Sequence, residues 1–321
     1  MQENKSLKFK LEQGLLRSNE KIVDQDFLRT SFFILPCNDG EAKRACEILL
    51  GLKVPFLHIS SQRWGATLDK EWSKISWNQA DGIKRVVVFE MPGQRLSGSE
   101  IEFERCIKDM GLELVVIDHH YYRWIDRYHQ KSSLEQLCEC IAWPLDWTDQ
   151  AIAVNDRSYI PGLKQLGLSR DEIIQVRNYD LKAQGFKPDY IAKQMAKAPS
   201  VIEDLRGRKH GELWVLESAP IERIFILQEL SLQSSSGLSN VLEIGPRKLS
   251  FSGSPQVVNH LLGLDYTKFG FAKGYICYGG GDDSFSKFWG FRPRYSHESI
   301  SKNFVEDLLV HIVNEVNATR N

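Results

Sequence analysis

The strongest constraint on the fold is the regular alternation of short, branched apolar runs with helical segments from about residue 30 onward. Between the apolar runs lie helical candidates such as residues 41–50 and 99–110. Continuously apolar strands that alternate with helices form βαβ units, whose strands are buried on both faces. We therefore predict an α/β fold with a mainly parallel sheet and helices on both of its faces. The predicted strands are Ser31 to Pro36, Val54 to Ile59, Arg85 to Glu90, and Leu112 to Ile117.

Acidic and imidazole side chains follow three of these apolar runs, and Asp156 comes shortly after a later apolar run, AIAV. In open α/β sheets the polar chemistry gathers beyond the carboxyl ends of the strands, so we expect these side chains at one edge of the sheet. Carboxylate oxygens and imidazole nitrogens together suit manganese, magnesium or zinc, and a phosphate ester is a natural substrate for such an ion. The residues concerned are Asp39, Glu90, Asp118, His119, His120 and Asp156.

A structural interpretation of the same residues stays open. A single acid after a strand, such as Asp39 or Asp156, is commonly a helix N-cap or a turn residue. The adjacent pair His119 and His120 is harder to explain by packing, because each ring nitrogen needs a partner. The histidine pair therefore carries more weight than either acid.

Composition limits the possible partners. The 321 residues are 42% hydrophobic and 26% charged, which is typical of a folded chain, and the length predicts two domains. With 41 basic and 42 acidic residues, contact with nucleic acid would need a local basic groove, so a role in coating DNA is excluded. Near-neutral charge favours a nucleotide or a short single strand over a long polymer.

The cysteines and the lengths of the apolar runs predict the cellular compartment of the protein. The six cysteines lack the spacing of a zinc site and the density of a disulfide scaffold, so reduced thiols are predicted. The first residues, MQENKSLKFKLEQG, are polar where a secretory signal would be apolar, and no run is long enough to span a membrane. We predict a cytoplasmic protein without membrane association.

The segment VVIDHH, with acids in order on either side, resembles the signature of the DHH phosphoesterase superfamily. That superfamily includes single-strand exonucleases, oligoribonucleases, cyclic-dinucleotide phosphodiesterases and family II inorganic pyrophosphatases. In it, an Asp-x-Asp-Gly motif ends the first strand, a further Asp ends a later strand, and another Asp follows the Asp-His-His motif. The order and spacing match residues 37–156, so the resemblance directly covers about the first half of the chain.

The resemblance implies a role for each matching residue. It makes Asp39, Glu90, His119 and Asp156 ligands of a divalent metal, with Glu90 in place of the carboxylate that bridges two ions. His120 would contact the scissile phosphate, and Asp118 would orient the imidazoles.

Three departures from the family pattern affect the second metal position. Cys37 stands where the family has its first Asp, and Phe33 stands where the family has an upstream histidine. Glu90 is one methylene longer than the usual Asp. A thiolate suits a soft ion better than a hard one. We therefore predict one ion rather than two, Mn²⁺ in preference to Mg²⁺.

The second half of the chain resembles the remainder of such proteins. We predict a DHH-like domain at 1–165, a helical connector at 166–208 and a smaller mixed α/β domain, similar to the DHHA1 type, at 209–321. The stretch YICYGGGDDSFSKFWGFRPR resembles the family's Gly-Gly-Gly-His motif, with Asp282 in place of the histidine. Backbone N–H groups of glycines can approach a phosphate closely. The predicted substrate-binding residues are Gly279, Gly280, Gly281, Lys287, Arg292 and Arg294, although a strand with ordinary core aromatics and a solvated basic face explains the stretch equally well.

Two hypotheses follow from the sequence. In the first, the chain is a metal-dependent phosphoesterase that acts on a nucleotide, a short oligonucleotide or a cyclic dinucleotide in a cleft between two domains. In the second, it is a degenerate member of the fold without turnover, which serves as a nucleotide-binding or scaffold module. Retention of Asp39, His119, His120 and Asp156 favours the enzyme, and the changes at Cys37 and Phe33 favour the binding module.

Overall fold

The computed structural model describes residues 23–63, 65–77, 82–93, 102–122, 125–205, 209–217, 220–271, 275–293 and 300–318. The described residues fall into two compact units. Unit one contains those within Met1–His119, Tyr128–Asp156 and Ile174–Lys187, and unit two contains those within His120–Arg127, Arg157–Ile173 and Pro188–Asn321. Each unit is therefore built from three separate segments of the chain.

Helices and strands both contribute to the fold. The helices are α1 Gln25–Thr30, α2 Gly40–Gly51, α3 Leu68–Glu71, α4 Glu102–Asp109, α5 Ser133–Cys140, α6 Trp147–Gln165, α7 Arg170–Ala183, α8 Pro188–Leu205, α9 Arg223–Gln233, α10 Pro255–Gly263 and α11 Lys302–Ala318. The strands are β1 Ser31–Pro36, β2 Leu57–Ser60, β3 Arg85–Phe89, β4 Glu113–Ile117, β5 Tyr121–Tyr122, β6 Ile125–Asp126, β7 Lys209–His210, β8 Leu213–Glu217, β9 Asn240–Ile244, β10 Leu249–Gly253, β11 Ile276–Gly281 and β12 Lys287–Arg292.

A four-stranded parallel sheet in the order β2-β1-β3-β4 forms the centre of unit one. Alternate side chains of β1 and β3 enter two hydrophobic clusters because successive residues of a strand point to opposite faces. Phe33 and Val87 pack with α2 and α5, whereas Phe32 and Val86 pack with Leu68 of α3 and with α4. Both faces of the sheet are thus covered, and the carboxyl ends of β1, β3 and β4 share one edge.

Unit two contains an eight-stranded mixed sheet in the order β6-β5-β11-β12-β10-β9-β8-β7. Only β8 and β9 pair in parallel among its described strands. Phe251, Trp289 and Phe291 point to one face, where they pack with Tyr266, α10 and α11. This aromatic cluster is the core of unit two.

The prediction of a mixed α/β chain with a parallel sheet in its first part is confirmed. Strand β1 has the predicted bounds, whereas β2 begins at Leu57 rather than Val54, β3 ends at Phe89 and β4 begins at Glu113. The division at 165 and 208 stays a prediction, although the predicted connector contributes residues to both units. None of the described helices combines the length and the apolar character needed to cross a membrane.

Candidate metal centre

Four acidic and imidazole side chains of unit one converge on a small volume. Glu41, Glu90, His119 and Asp156 each offer one potential ligand atom, and these four atoms all lie within 4.8 Å of one another. We call this set the acid-imidazole cluster. It unites three residues predicted from the sequence with one, Glu41, that the prediction did not include.

His119 is the centre of the cluster. Its Nε2 atom lies 2.7 Å from Asp156 Oδ2, 3.4 Å from Glu90 Oε1 and 3.7 Å from Glu41 Oε2. The imidazole is buried and lies two residues beyond the last residue of β4. Burial alone would lower the pKa of His119, but hydrogen bonding to Asp156 and Glu90 and the surrounding negative charge raise it well above 6.5.

Glu90 reaches the cluster through an unusual backbone conformation. Its φ of +50° lies in the left-handed region, where a residue other than glycine costs about 1 to 3 kcal/mol. Its N–H donates to Ile117 O at 2.9 Å, so pairing with the adjacent strand continues past the end of β3. This hydrogen bond holds Glu90 beside the residues that follow β4.

Glu41 lies in the first turn of α2, where the partial positive charge of the helix favours a carboxylate. Its Oε1 atom accepts a hydrogen bond from the N–H of Leu134 at 2.7 Å. Its other oxygen, Oε2, is buried, accepts no hydrogen bond from an N–H group of the described residues and lies 3.7 Å from His119 Nε2. Burial, followed by the charges of Asp156 and Glu90, raises the pKa of Glu41 well above its usual range, against the opposite effect of His119.

Asp39 takes the structural role that the sequence left open. It is the N-cap of α2, and its Oδ1 atom accepts from the N–H of Ala42 at 2.8 Å. It belongs to none of the potential ligand groups found among the described residues. Burial, followed by the charges of Glu90, Asp156 and Asp180, raises the pKa of Asp39 well above its usual range.

The cluster has the chemistry of a cation site. Three carboxylates and one imidazole are brought together, all of them buried except Asp156, and the repulsion between the carboxylates must be offset by protons or by a cation. Oxygen and nitrogen donors suit manganese, magnesium or zinc. The residues therefore fit a divalent ion, with Glu41 Oε2 as a buried acceptor oriented toward the shared volume.

Two positions that differ from the family pattern offer little to a second ion. Phe33 is buried in the core of unit one and has no donor atom. Cys37 is exposed, and a hydrogen bond with Cys46 lowers the pKa of Cys37 to about 7 with help from Lys43, although burial opposes this shift. A thiolate at this position would favour a soft ion.

Asp118 and His120 flank His119 in the chain. Asp118 is buried, and its carbonyl oxygen accepts from Gln136 Nε2 at 3.0 Å. His120 belongs to unit two, where its ring centroid lies 6.4 Å from that of Phe288. The roles predicted for these two residues stay predictions.

The glycine motif of unit two forms part of strand β11. Gly281 has a φ of +104°, and a Cβ there would lie 2.4 Å from Ser286 O, so the strand needs glycine for its own pairing with β12. Strand geometry thus explains this glycine without a phosphate. Asp282 is paired within unit two, because its Oδ2 atom accepts from Arg157 Nη1 and from Ser158 Oγ, each at 3.0 Å.

The predicted cationic substrate ligands differ in their surroundings. Lys287 is buried, and its Nζ atom donates to Asn259 Oδ1 at 2.9 Å and to Asp283 Oδ1 at 2.7 Å. Arg292 is exposed, and Arg294 lies outside the described residues. Trp289 of the same stretch is buried in the aromatic core of unit two.

Comparisons with known proteins do not identify the chain. No protein-family model matches it, and no curated protein matches it. The resemblance to the DHH superfamily therefore stays a prediction that rests on the motif residues.

Proposed function

We propose that this chain is a metal-dependent phosphoesterase that uses a single divalent ion, Mn²⁺ in preference to Mg²⁺. The observation that carries the proposal is the convergence of Glu41, Glu90, His119 and Asp156 in the acid-imidazole cluster. The motif order around VVIDHH supports a nucleotide, a short oligonucleotide or a cyclic dinucleotide as the substrate.

In this proposal, each residue of the acid-imidazole cluster is a ligand of the ion. Glu41, Glu90 and Asp156 supply carboxylate oxygens, and His119 supplies a ring nitrogen, to one ion. A bound divalent ion makes water a stronger acid and polarises a phosphoryl oxygen. Leu134 N–H holds Glu41 in place through its Oε1 atom, which leaves Oε2 for the ion. His120 is the proposed phosphate contact, and Asp118 is the proposed partner that orients the imidazoles.

A second candidate is a nucleotide-binding or scaffold module that keeps the fold without turnover. It is favoured by Phe33 and Cys37, because neither residue supplies a hard ligand where the resembled family has one. Such a protein could still bind one ion through the cluster. Hydrolysis, rather than metal binding, separates the two candidates.

The first prediction tests the cluster by titration calorimetry with Mn²⁺. We expect wild-type protein to bind one ion and Glu41→Gln to weaken the affinity at least about tenfold, because a charged ligand is replaced by a neutral amide. The matched control is Glu71→Gln, since Glu71 is another buried glutamate of unit one that lies outside the cluster. The control should bind Mn²⁺ as wild type does.

Four results would count against the proposal or one of its parts. Absence of Mn²⁺ binding by wild type would contradict the metal site, and two equivalent ions would contradict the single-ion form. A protein that binds Mn²⁺ but hydrolyses neither a short single-stranded oligonucleotide nor a cyclic dinucleotide would favour the binding module. Product formation that His120→Ala leaves unchanged would remove His120 from the mechanism.

A further inference from the structure

Helix α7 contains a buried ion pair that lies outside the acid-imidazole cluster. Arg177 Nη1 lies 2.6 Å from Asp180 Oδ2, and the two side chains are only 3% and 9% exposed. Gln184 Nε2 donates to the same Asp180 oxygen at 3.0 Å. A buried ion pair is weak support for stability, because desolvation of both charges offsets most of their attraction. The contacts of this pair indicate a different role.

Asp180 binds the segment that carries Glu41. Its second oxygen, Oδ1, accepts from the N–H of Gly40 at 2.9 Å. Gly40 is the first residue of α2 and directly precedes Glu41. A Cβ on Gly40 would lie 3.0 Å from the Cα of Asp180, so this close approach of the two backbones depends on glycine.

Arg177 binds the segment that carries Asp156. The same Nη1 atom donates to Asn155 Oδ1 at 3.1 Å, and Asn155 is buried directly before Asp156 on α6. The Arg177–Asp180 pair therefore hydrogen-bonds to Gly40 and Asn155, which directly precede the cluster acids Glu41 and Asp156. These two acids are 115 residues apart in sequence (156 minus 41).

Positioning is needed here because the cluster acids repel one another. Glu41 and Asp156 approach the same imidazole, so whenever both carboxylates are charged they repel each other, and other contacts must hold α2 and α6 at this spacing. The Arg177 and Asp180 charges cancel, so the pair can hold both segments without adding net charge near the ion. Outer contacts of this kind orient metal ligands and set metal affinity.

We propose that Arg177 and Asp180 are positioning residues that fix the spacing between Glu41 and Asp156 for the divalent ion. This inference rests on the proposed function. It adds that the metal affinity of the cluster depends on two residues that are not themselves ligands.

The test compares two charge-neutral double variants of the full chain. Arg177→Met with Asp180→Ala removes the hydrogen bonds to Gly40 and Asn155, whereas Arg177→Gln with Asp180→Asn keeps a hydrogen-bonding group at each position. Neither double variant changes the net charge of the chain. A change in the overall electrostatic potential therefore cannot explain a difference between their Mn²⁺ affinities. Mn²⁺ affinity is measured by titration calorimetry, and the free energy of unfolding is measured in urea on the same samples.

We expect the apolar double variant to lose Mn²⁺ affinity at least about tenfold, which is typical when residues that orient metal ligands are removed. The Mn²⁺ affinity of the amide variant should stay within about threefold of wild type. Glu71→Gln is the control for lost stability alone, and it should leave the Mn²⁺ affinity unchanged. A folded apolar variant with the affinity of wild type would overturn the inference.

A second variant keeps the inference falsifiable if the apolar double variant does not fold. Asn155→Ala removes only one acceptor of Arg177, and we expect it to weaken Mn²⁺ binding while the protein stays folded. Unchanged Mn²⁺ affinity in Asn155→Ala would show that the hydrogen bond from Arg177 to Asn155 does not position Asp156 for the ion. Wild-type protein that binds Mn²⁺ without hydrolysing phosphodiesters would contradict the proposed function alone, whereas wild type that binds no Mn²⁺ would contradict both proposals.

Discussion

At the scale of single residues, two acids at the start of α2 have different surroundings. Asp39 caps the helix through Ala42 N–H, and Glu41, two residues later, points into the cluster. Both are buried acids at the start of the same helix, and they differ in the direction of the side chain. The N-cap residue turns back to the helix backbone, whereas Glu41 approaches His119.

A prediction at this scale concerns the reactivity of Cys37. Because the thiolate is the nucleophile and the pKa of Cys37 is about 7, alkylation should rise with pH around a midpoint near 7. Mass spectrometry after iodoacetamide pulses at pH 5 to 9 measures this profile. Cys46 and Cys138 are buried, and their raised pKa values should keep them unreactive in the same samples.

Cys37→Ser is the control for that experiment. It should abolish the alkylation that rises with a midpoint near pH 7. A midpoint near 9 for Cys37 in wild type would show that its contact with Cys46 does not lower the pKa.

At the scale of secondary-structure elements, Glu71 joins the short helix α3 to strand β2. It accepts hydrogen bonds from Ser60 Oγ at 2.8 Å and Gln62 Nε2 at 2.7 Å, and His58 Nε2 lies 3.0 Å away. Burial alone would raise the pKa of Glu71, but these groups and Lys74 lower it from 4.5 to about 2. The carboxylate thus stabilises the attachment of α3 in its charged form.

A prediction for this contact has a defined pH dependence. Since the folded-state pKa is depressed, the stabilisation is present above about pH 4.5 and is lost as the pH falls toward 2. Glu71→Gln should lower the free energy of unfolding by about 3 kcal/mol at pH 7 and by only about 1 kcal/mol at pH 3. Urea unfolding of both proteins across this range measures the difference. A difference independent of pH would mean that the charge of Glu71 contributes nothing.

At the scale of the whole molecule, a bound ion should stabilise the folded chain. An ion that binds only the folded state stabilises it by about 2.7 kcal/mol at a free concentration of 100 times Kd. We therefore expect Mn²⁺ to raise the thermal unfolding midpoint of wild type, and Glu41→Gln to reduce the increase to about half or less. Differential scanning calorimetry with Ca²⁺ as a comparison ion measures this effect. An equal increase in the variant would place the stabilising ion elsewhere on the chain.

Much of the parallel sheet could be predicted because the signal is local. The apolar run of β1 was predicted with its observed bounds, and three of the four cluster residues lie after apolar runs of the sequence. The start of β2 was wrong by three residues, because Val54 is apolar but lies in the connection after α2 rather than in the sheet. Apolar character marks burial, and burial alone does not distinguish a strand from the connection before it.

The sequence by itself determined that the sheet of unit one is parallel and that Glu90, His119 and Asp156 follow apolar runs, because hydrophobic periodicity is a property of neighbouring residues. Only the tertiary structure decided that Glu41 joins them, that Asp180 and Arg177 hydrogen-bond to Gly40 and Asn155, and that Asp282 is paired with Arg157. These contacts join residues far apart in the chain. Their geometry depends on how helices and strands pack, which no local pattern of side chains specifies.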